Sequence, residues 1–392
     1  MQDSLYLAWQ YLRYNRLRTI ILIACITLVS VLPISLNLLL KASEKQLMAR
    51  AQQTPLLLGK MGSDLDLTIN SLYFTVKSPE DIFMEDVENI KSTNLAKSIP
   101  LYLKFQARNY PIVGTTLDYF EFRQLRPKQG NYFALLGDCV LGAAVAERLN
   151  LKPGDHLISS PEALFDIGGI YPLKMKVVGI LEKSFTADDE AVFSDLKTTW
   201  IIRGLGHGHQ DLKKTATPDV ILNREKDKIT ANAKLKQYME ITPDNIDSFH
   251  FHGEPQTFPL TAVIVIPGDQ KSEALLRGRY QAQSSNRSLV KPQLVIEELL
   301  IEIFKIRDLL NVIFVLVIVA TLIAIVLIFN LSLRLRQREI EISFMLGCSK
   351  NAIARLITAE ISIILVISLL LTGVVTAGLS HFRQPITRTL IS

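Results

Sequence analysis

The chain has 392 residues, of which 48% are apolar and 21% charged, with a mean hydropathy of +0.24 and a net charge of +5. This mixture predicts an ordinary globular part joined to a few very apolar stretches, and it excludes a disordered chain or a small disulfide scaffold. The three cysteines are far apart without C-x-x-C spacing, which excludes a disulfide framework and a cysteine zinc site, and the modest charge is no argument for nucleic-acid binding.

Three uncharged stretches are long enough to cross about 30 Å of hydrocarbon as helices. They are residues 19–40, 309–333 and 361–380, with 22, 25 and 20 residues. The first stretch is too long for the apolar part of a signal peptide, and no small-residue cleavage site follows it. We therefore expect three transmembrane helices in a lipid bilayer.

Basic residues indicate how these spans are oriented. Arg13, Arg16 and Arg18 precede the first span, and arginines and lysines fill residues 334–360 between the second and third. The positive-inside rule places both segments in the cytoplasm, so that residues 41–308 lie outside, in the periplasm of a bacterium with the spans in its inner membrane. Residues 1–18 predict an amphipathic helix at the cytoplasmic face, and residues 381–392 a short tail.

The external region predicts both helices and strands. Breaker-free helical patterns extend the first span to residue 53 and precede the second span from residue 295, as stalk helices. Between them, the chain order is strand 64–74, helix 79–91, strands 101–106 and 110–114, helix 140–150, strand 174–181, strand 261–266, a helix to about 281, and strand 288–291. The predicted fold class is an α-helical membrane protein with a large α+β extracytoplasmic domain, in which residues 118–259 form an inserted subdomain.

The cytoplasmic segment 334–360 predicts a docking surface. Gly347 permits a tight turn, and Ser349 is a suitable N-cap for the helix that follows it. Apolar side chains such as Phe344 and Met345 are unexpected in a solvated loop, so a short pair of helices that contacts another protein accounts for them. The alternative, a loop that only follows the positive-inside rule, explains the arginines but not the apolar residues.

Several segments resemble FtsX/MacB-type ABC permeases. In chain order they are the basic start at residues 9–19, Val113-Gly114-Thr115-Thr116, Gly130-Asn131-Tyr132-Phe133, Val140-Leu141-Gly142 with Gly154-Asp155, Val177-Val178-Gly179-Ile180-Leu181, Arg338-Glu339-Ile340-Glu341-Ile342, and Leu346-Gly347-Cys348-Ser349 with Glu360. No single motif identifies the family, but the order of the motifs and the topology together support the resemblance. It extends from about residue 5 to residue 380.

The resemblance implies a permease that pairs with a second copy or a paralogue and binds a separate cytoplasmic P-loop ATPase. Its external domain would move under ATP hydrolysis, with a periplasmic adaptor or substrate protein as a further partner. The resemblance assigns ATPase contact to Glu339, Glu341, Gly347 and Ser349, to which the apolar pattern adds Phe344 and Met345. It also implies four spans, whereas this sequence provides three, as either a three-span variant or a truncated chain.

No motif for catalysis is present in the sequence. Gly-x-x-x-x-Gly-Lys-Ser/Thr, Gly-x-Ser-x-Gly and His-Glu-x-x-His are all missing. We therefore expect no enzyme activity and no cofactor in this chain, with ATP bound by the partner ATPase.

Four of the six histidines form two His-x-His pairs, His207/His209 and His250/His252. Residues two apart on a strand face the same side, so each pair could bind one ion, with Asp211 or Glu254 as a third ligand. Neutral imidazole suits zinc, copper or nickel. The alternatives are solvated loops in which histidines cluster by accident, and a response to pH.

Other features leave the function partly open. Asp188-Asp189-Glu190 lacks the spacing of a calcium loop and predicts a solvated turn. A zinc-related transport or sensing system of the same family, a non-transporting regulator of a periplasmic cell-wall hydrolase, and a membrane sensor without an ATPase remain alternatives to the ATP-driven permease.

Overall fold

The computed structural model describes residues 2–75, 79–160, 172–208, 221–225, 228–231, 239–282, 286–335, 337–345, 347 and 349–381. The chain forms two compact units. The first unit contains Met1–Leu47 and Glu298–Ser392, and the second contains Met48–Glu297. The second unit therefore corresponds to most of the region that the sequence predicts to lie outside the membrane.

The described α-helices are α1 (Gln2–Tyr14), α2 (Arg16–Gln52), α3 (Asp64–Tyr73), α4 (Met84–Ser92), α5 (Asp118–Arg123), α6 (Ala143–Leu149), α7 (Leu196–Ile202), α8 (Gln270–Ala282), α9 (Pro292–Leu335), α10 (Gln337–Met345) and α11 (Lys350–His381). The described strands are β1 (Leu56–Lys60), β2 (Ile82–Phe83), β3 (Ala96–Ala107), β4 (Tyr110–Thr115), β5 (Pro127–Gly130), β6 (Asp138–Leu141), β7 (His156–Ile158), β8 (Leu173–Leu181), β9 (Val192–Asp195), β10 (Gly206–Gly208), β11 (Ile221–Glu225), β12 (Lys228–Ala231), β13 (Met239–Glu240), β14 (Phe249–Phe251), β15 (Pro259–Leu260), β16 (Ala262–Pro267) and β17 (Arg287–Val290).

Helices α2, α9 and α11 are each long and apolar enough to cross a membrane. Each contains one of the three uncharged stretches, and α2 and α9 also extend beyond them, as the breaker-free patterns predict. The boundary between the two units falls inside α2 and inside α9. The chain is thus an α-helical membrane protein with a large α+β extracytoplasmic domain, as the sequence predicts.

The first unit is held together by apolar contacts between its helices. Leu12 of α1, Leu22 of α2 and Ile364 of α11 are buried in one cluster. Near it, Arg18 lies 3.9 Å from Glu360, whose side chain is 2% exposed. An arginine that precedes the first predicted span therefore neutralises a carboxylate at the start of the third, which would be costly to bury alone.

The second unit is built on one mixed sheet. Its strand order is β13-β8-β6-β9-β4-β3-β16-β1-β17, with β5 and β7 pairing with β8. The β6–β8, β4–β9 and β13–β8 pairs are parallel and the others antiparallel. The central strands are apolar and buried along their length, as in β16, where Ala262 to Val265 are all fully buried. The main hydrophobic core lies against this sheet.

Residues 64–74 contradict the predicted strand, because they form helix α3. Ser63 is its N-cap and accepts a hydrogen bond from the Asp66 backbone N–H at 3.1 Å, and Asp64 and Asp66 lie in the first turn. The capping residue and the acidic first turn favour a helix more strongly than a short alternation of leucines favours a strand.

Two other predicted helices are only partly correct. Residues 138–141 form strand β6, and the helix begins after Gly142, because these residues pair with β8 and β9 inside the sheet. The helix expected at 79–91 begins only at Met84, where Asp86 accepts a hydrogen bond from the Phe83 backbone N–H. The predicted strands at 101–106, 110–114, 174–181, 261–266 and 288–291 and the helix that ends near 281 are all present.

Candidate functional site

The predicted docking segment contains helix α10 and the residues that precede α11, and we call residues 337–349 the coupling segment. Helix α10 ends at Met345, Gly347 has a φ of +92°, and α11 begins at Lys350. Ser349 caps α11, because its hydroxyl accepts a hydrogen bond from the Ala352 backbone N–H at 3.3 Å. A side chain at position 347 would be strained at this φ, which explains the glycine.

Apolar side chains of the coupling segment are exposed. Met345 is 84% exposed and Ile342 57% exposed, and Glu341 is exposed as well. The side chains of Glu339 and Phe344 lie outside the described part of the structure, so their contact with an ATPase stays a prediction from the sequence. Exposed apolar groups beside charged ones on a short rigid helix are typical of a protein-binding surface.

The second predicted site comes together around three histidines, His207, His250 and His252, which we call the histidine cluster. Strands β10 and β14 pair antiparallel with His207 directly opposite His250. His252 follows two residues later, and its backbone N–H donates to the Leu205 carbonyl at 3.0 Å. The ring centroids lie 4.7–4.9 Å apart in all three pairs.

This arrangement differs from the two separate pairs that the sequence suggests. One histidine of the first pair joins both histidines of the second, since the two strands are neighbours. His209 and Asp211 lie outside the described residues, and Glu254 is exposed and not part of the group that could bind an ion. Sequence spacing could place two imidazoles on one strand face, but only the β10–β14 pairing adds the third.

The sequence gives no sign of a third site, which consists of the buried Arg50, Tyr119 and Asp188 and the half-buried Arg123. We call these four residues the Arg50 cluster. The Arg50 guanidinium donates to both oxygens of Asp188, at 2.5 Å to Oδ2 and 3.0 Å to Oδ1. The Tyr119 hydroxyl donates to Asp188 Oδ1 at 2.7 Å. Arg50 Nε also donates to the Leu72 carbonyl. Arg50, Asp188 and Tyr119 are 5%, 1% and 0% exposed.

The electrostatics of the Arg50 cluster follow from burial and charge pairing. Burial alone would raise the pKa of Asp188, but the attraction of Arg50 outweighs it and holds this pKa at about 2. Burial and the negative charge of Asp188 raise the pKa of Tyr119. Burial, followed by repulsion from Arg50, lowers the pKa of Arg123, whose Nη2 donates to the Thr54 hydroxyl at 2.8 Å.

The predicted solvated turn at 188–190 is therefore wrong. Asp188 and Asp189 are each 1% exposed. Asp189 accepts hydrogen bonds from the backbone N–H groups of Ser184 and Phe185 at 2.8 and 2.9 Å, so both carboxylates are fully paired inside the protein. Three consecutive acidic residues suggest solvent exposure. The local sequence does not indicate that Arg50, 138 residues earlier, pairs with Asp188.

The sequence profile of the MacB-like periplasmic core domain matches residues 21–238, which is more than half of the chain. The chain belongs to this family. It is an FtsX/MacB-type ABC transporter permease, as the motifs in its sequence indicate. No protein of curated function matches the sequence.

Solved structures of low sequence identity are also similar to this permease. The extracellular domain of the noncanonical ABC-type transporter YknZ from Gram-positive bacteria shares 12% identity and covers 60% of this chain and 98% of its own, with a TM-score of 0.33. The periplasmic region of MacB from Actinobacillus actinomycetemcomitans shares 11% identity over 64% of this chain and 97% of its own, with a TM-score of 0.35. A domain of a putative permease from Porphyromonas gingivalis shares 13% identity over 55% and 78%, with a TM-score of 0.25.

Proposed function

We propose that this MacB-like permease is the membrane subunit of an ABC transporter complex in a bacterial inner membrane. A separate cytoplasmic P-loop ATPase binds the coupling segment and hydrolyses ATP. Two permease chains, either identical or paralogous, assemble around the ATPase pair. The extracytoplasmic domain then moves with the ATPase cycle to export, extract or activate a periplasmic substrate.

The observation that carries this proposal is that helix α2 contains an apolar span and also the buried Arg50. This helix runs without interruption from Arg16 to Gln52. Its residue 50 is fixed to Asp188 and Tyr119 by charge-assisted hydrogen bonds, which are the stronger kind. A displacement of this helix along its axis would therefore be passed to the segment around Asp188 rather than absorbed by a loose contact.

The coupling segment supports the cytoplasmic half of the proposal. Its exposed Met345 and Ile342 lie on α10, and Ser349 caps the start of the following helix α11. Binding at such a surface loses little conformational entropy, since α10 and α11 are already helical.

The first experiment tests the ATPase contact. The wild-type chain, Met345→Asp and Met61→Asp are purified from native membranes in mild detergent, and the co-purifying P-loop ATPase is measured by mass spectrometry. Met61 is a matched control, because it is 65% exposed and lies in the extracytoplasmic unit. We expect at least about tenfold less ATPase to co-purify with Met345→Asp, which corresponds to about 1.4 kcal/mol of binding free energy. The amount that co-purifies with Met61→Asp should equal that of the wild type. Unchanged association in Met345→Asp would reject the docking role.

A second experiment tests the transmission of movement through α2. Hydrogen exchange of residues 186–195 is compared with and without ATP in the purified complex. Arg50→Lys keeps the charge but loses the two-pronged contact with Asp188. We expect an ATP-dependent change in the wild-type complex that is absent in Arg50→Lys, although the variant still binds the ATPase. An ATP response that persists in the variant would show that Arg50 does not transmit the movement.

A further inference from the structure

We propose that His207, His250 and His252 bind a divalent transition-metal ion of the zinc type, with one coordination position left open. This inference is independent of the ATPase contact and of force transmission. It concerns the extracytoplasmic unit alone, since β10 and β14 both belong to it.

The distances fit one ion. Each histidine offers a ring nitrogen, and these atoms all lie within 4.8 Å of one another. Three nitrogens about 2.0–2.1 Å from a tetrahedral ion are about 3.3 Å apart, so modest rotation of the rings brings them into place. His207 and His250 are half-buried and His252 is exposed, which leaves the rings room to turn and the ion a path from solvent. Among the described residues, this is the one group of three or more histidine, cysteine or acidic side chains that could hold a metal ion.

Two phenylalanines on the opposite face of β14 anchor the strand that carries His250. Residues 249–252 alternate between phenylalanine and histidine, so the two phenylalanines face away from the cluster. Phe249 and Phe251 pack against the main core, and the Phe251 ring lies 6.5 Å from the ring of Trp200 in an edge-on arrangement. His250 is thus carried by a strand that is anchored to the core, and His252 directly follows this strand.

The glycines of β10 show why this pairing requires the sequence Gly-His-Gly. Gly206 pairs with Phe251 and Gly208 with Phe249. A Cβ atom at position 206 would lie 2.8 Å from the Phe251 ring, and one at position 208 would lie 2.6 Å from the Phe249 ring. The glycines therefore accommodate the two rings on the core side while His207 stays on the other side, opposite His250.

A hydrogen bond to the backbone orients one imidazole for metal binding. His250 Nδ1 lies 3.2 Å from the carbonyl oxygen of Ser248. Because a carbonyl only accepts, Nδ1 carries the proton in this contact, and Nε2 is the nitrogen that would bind the ion. Histidines that bind metals in proteins nearly always make such a contact through the other ring nitrogen.

The ligand set indicates the class of ion. Three neutral imidazoles suit zinc, copper or nickel and are a poor match for calcium or magnesium, which require oxygen ligands. Three protein ligands also leave a fourth position for water or a donor from another molecule, as in zinc sites that exchange ligands. The site would therefore bind an ion from the extracytoplasmic space reversibly and join β10 to β14 while it is bound.

The test uses the full chain, purified without a polyhistidine tag, with Zn²⁺ as the probe. Binding is measured by calorimetry and by competition with a chromophoric chelator for the wild type, His207→Ala, His252→Ala and His156→Ala. His156 is a matched control, since it is partly exposed and lies beside Glu240 outside the cluster. We expect one Zn²⁺ per chain, at least a tenfold loss of affinity in His207→Ala and His252→Ala, and unchanged affinity in His156→Ala.

Two further measurements exclude misfolding and adventitious binding. Co²⁺ in place of Zn²⁺ should give the visible absorption of a tetrahedral, nitrogen-rich site, and this absorption should vanish in His252→Ala. Hydrogen exchange of residues 249–252 should slow when Zn²⁺ is added to the wild type but not to His252→Ala, with the rest of the extracytoplasmic unit unchanged. Absence of saturable Zn²⁺ binding, or binding that none of the cluster variants weakens, would overturn the proposal.

Discussion

Arg50 and Asp188 form a buried two-pronged ion pair across 138 residues of sequence, with nitrogen–oxygen distances of 2.5 and 3.0 Å. Arg50 lies in the last turn of α2, and Asp188 lies in a short 3₁₀ helix just before β9. Tyr119 bonds to both partners, so neither charge is left without compensation. The pair fixes the last turn of α2 to the core of the second unit, and its removal should lower the stability of that unit measurably.

The first prediction concerns the coupling energy of this pair. Arg50→Met leaves a buried carboxylate without its partner, and Asp188→Leu leaves a buried guanidinium, so each should lower the free energy of unfolding by about 3–5 kcal/mol. The double variant removes both charges and should lose less than the sum of the two. Denaturant unfolding of the full chain in detergent, followed by the fluorescence of Trp200 in a Trp9→Phe background, measures all three. Additive losses, within about 0.5 kcal/mol, would contradict the coupling.

The second prediction concerns pH. The folded state holds the pKa of Asp188 at about 2, below its ordinary value of 3.8, so the carboxylate contributes stability that is fully present above about pH 4 and is lost as the pH falls through about 2. The loss should be on the order of 2 kcal/mol. Asp188→Asn should be less stable at pH 7 and should lack this part of the acid dependence, whereas Asp247→Asn, at an exposed carboxylate, should keep it. An identical acid profile for Asp188→Asn and the wild type would show that another group is responsible.

The third prediction compares Gly142, which has no room for a side chain, with Gly278, which has open space beside it. A Cβ atom at position 142 would lie 2.3 Å from the Asp188 carbonyl oxygen and 2.4 Å from that of Asp189, whereas one at position 278 would meet nothing within 4 Å. Gly142→Ala should therefore destabilise the unit by about 1–3 kcal/mol, because the backbone beside the Arg50 cluster must move. Gly278→Ala, inside α8, should stabilise it by about 0.5–1 kcal/mol. Thermal unfolding of both variants tests this, and equal shifts in the same direction would refute it.

The fourth prediction concerns the thiol of Cys139. This side chain is fully buried in β6, and burial raises its pKa, so the reactive thiolate is scarce and inaccessible. With Cys25 and Cys348 changed to serine, a maleimide reagent should label Cys139 slowly in the native protein and rapidly after denaturation. Quantitative labelling by mass spectrometry provides the check. Rapid labelling under native conditions would place β6 at a surface instead.

Local sequence determined the membrane helices, most central strands and the capped turn of the coupling segment. In hydrocarbon, the backbone N–H and C=O groups of an uncharged stretch of 20 to 25 residues find their hydrogen-bond partners within the stretch when it is helical. No distant partner is therefore needed to specify these helices. Gly347 and Ser349 were predictable for the same reason, since a turn and an N-cap depend on residues next to one another in the chain.

Tertiary structure decided everything that depends on contacts between distant residues. The alternating leucines of residues 64–74 predict a strand, whereas the folded chain forms helix α3 there. The local sequence also predicts a solvated Asp188, because its partner Arg50 lies 138 positions earlier. The histidine pairs were visible in the sequence, but the pairing of β10 with β14 chose which three come together. Strand register and charge pairing depend on long-range packing, whereas helix formation and capping depend on neighbours a few residues away.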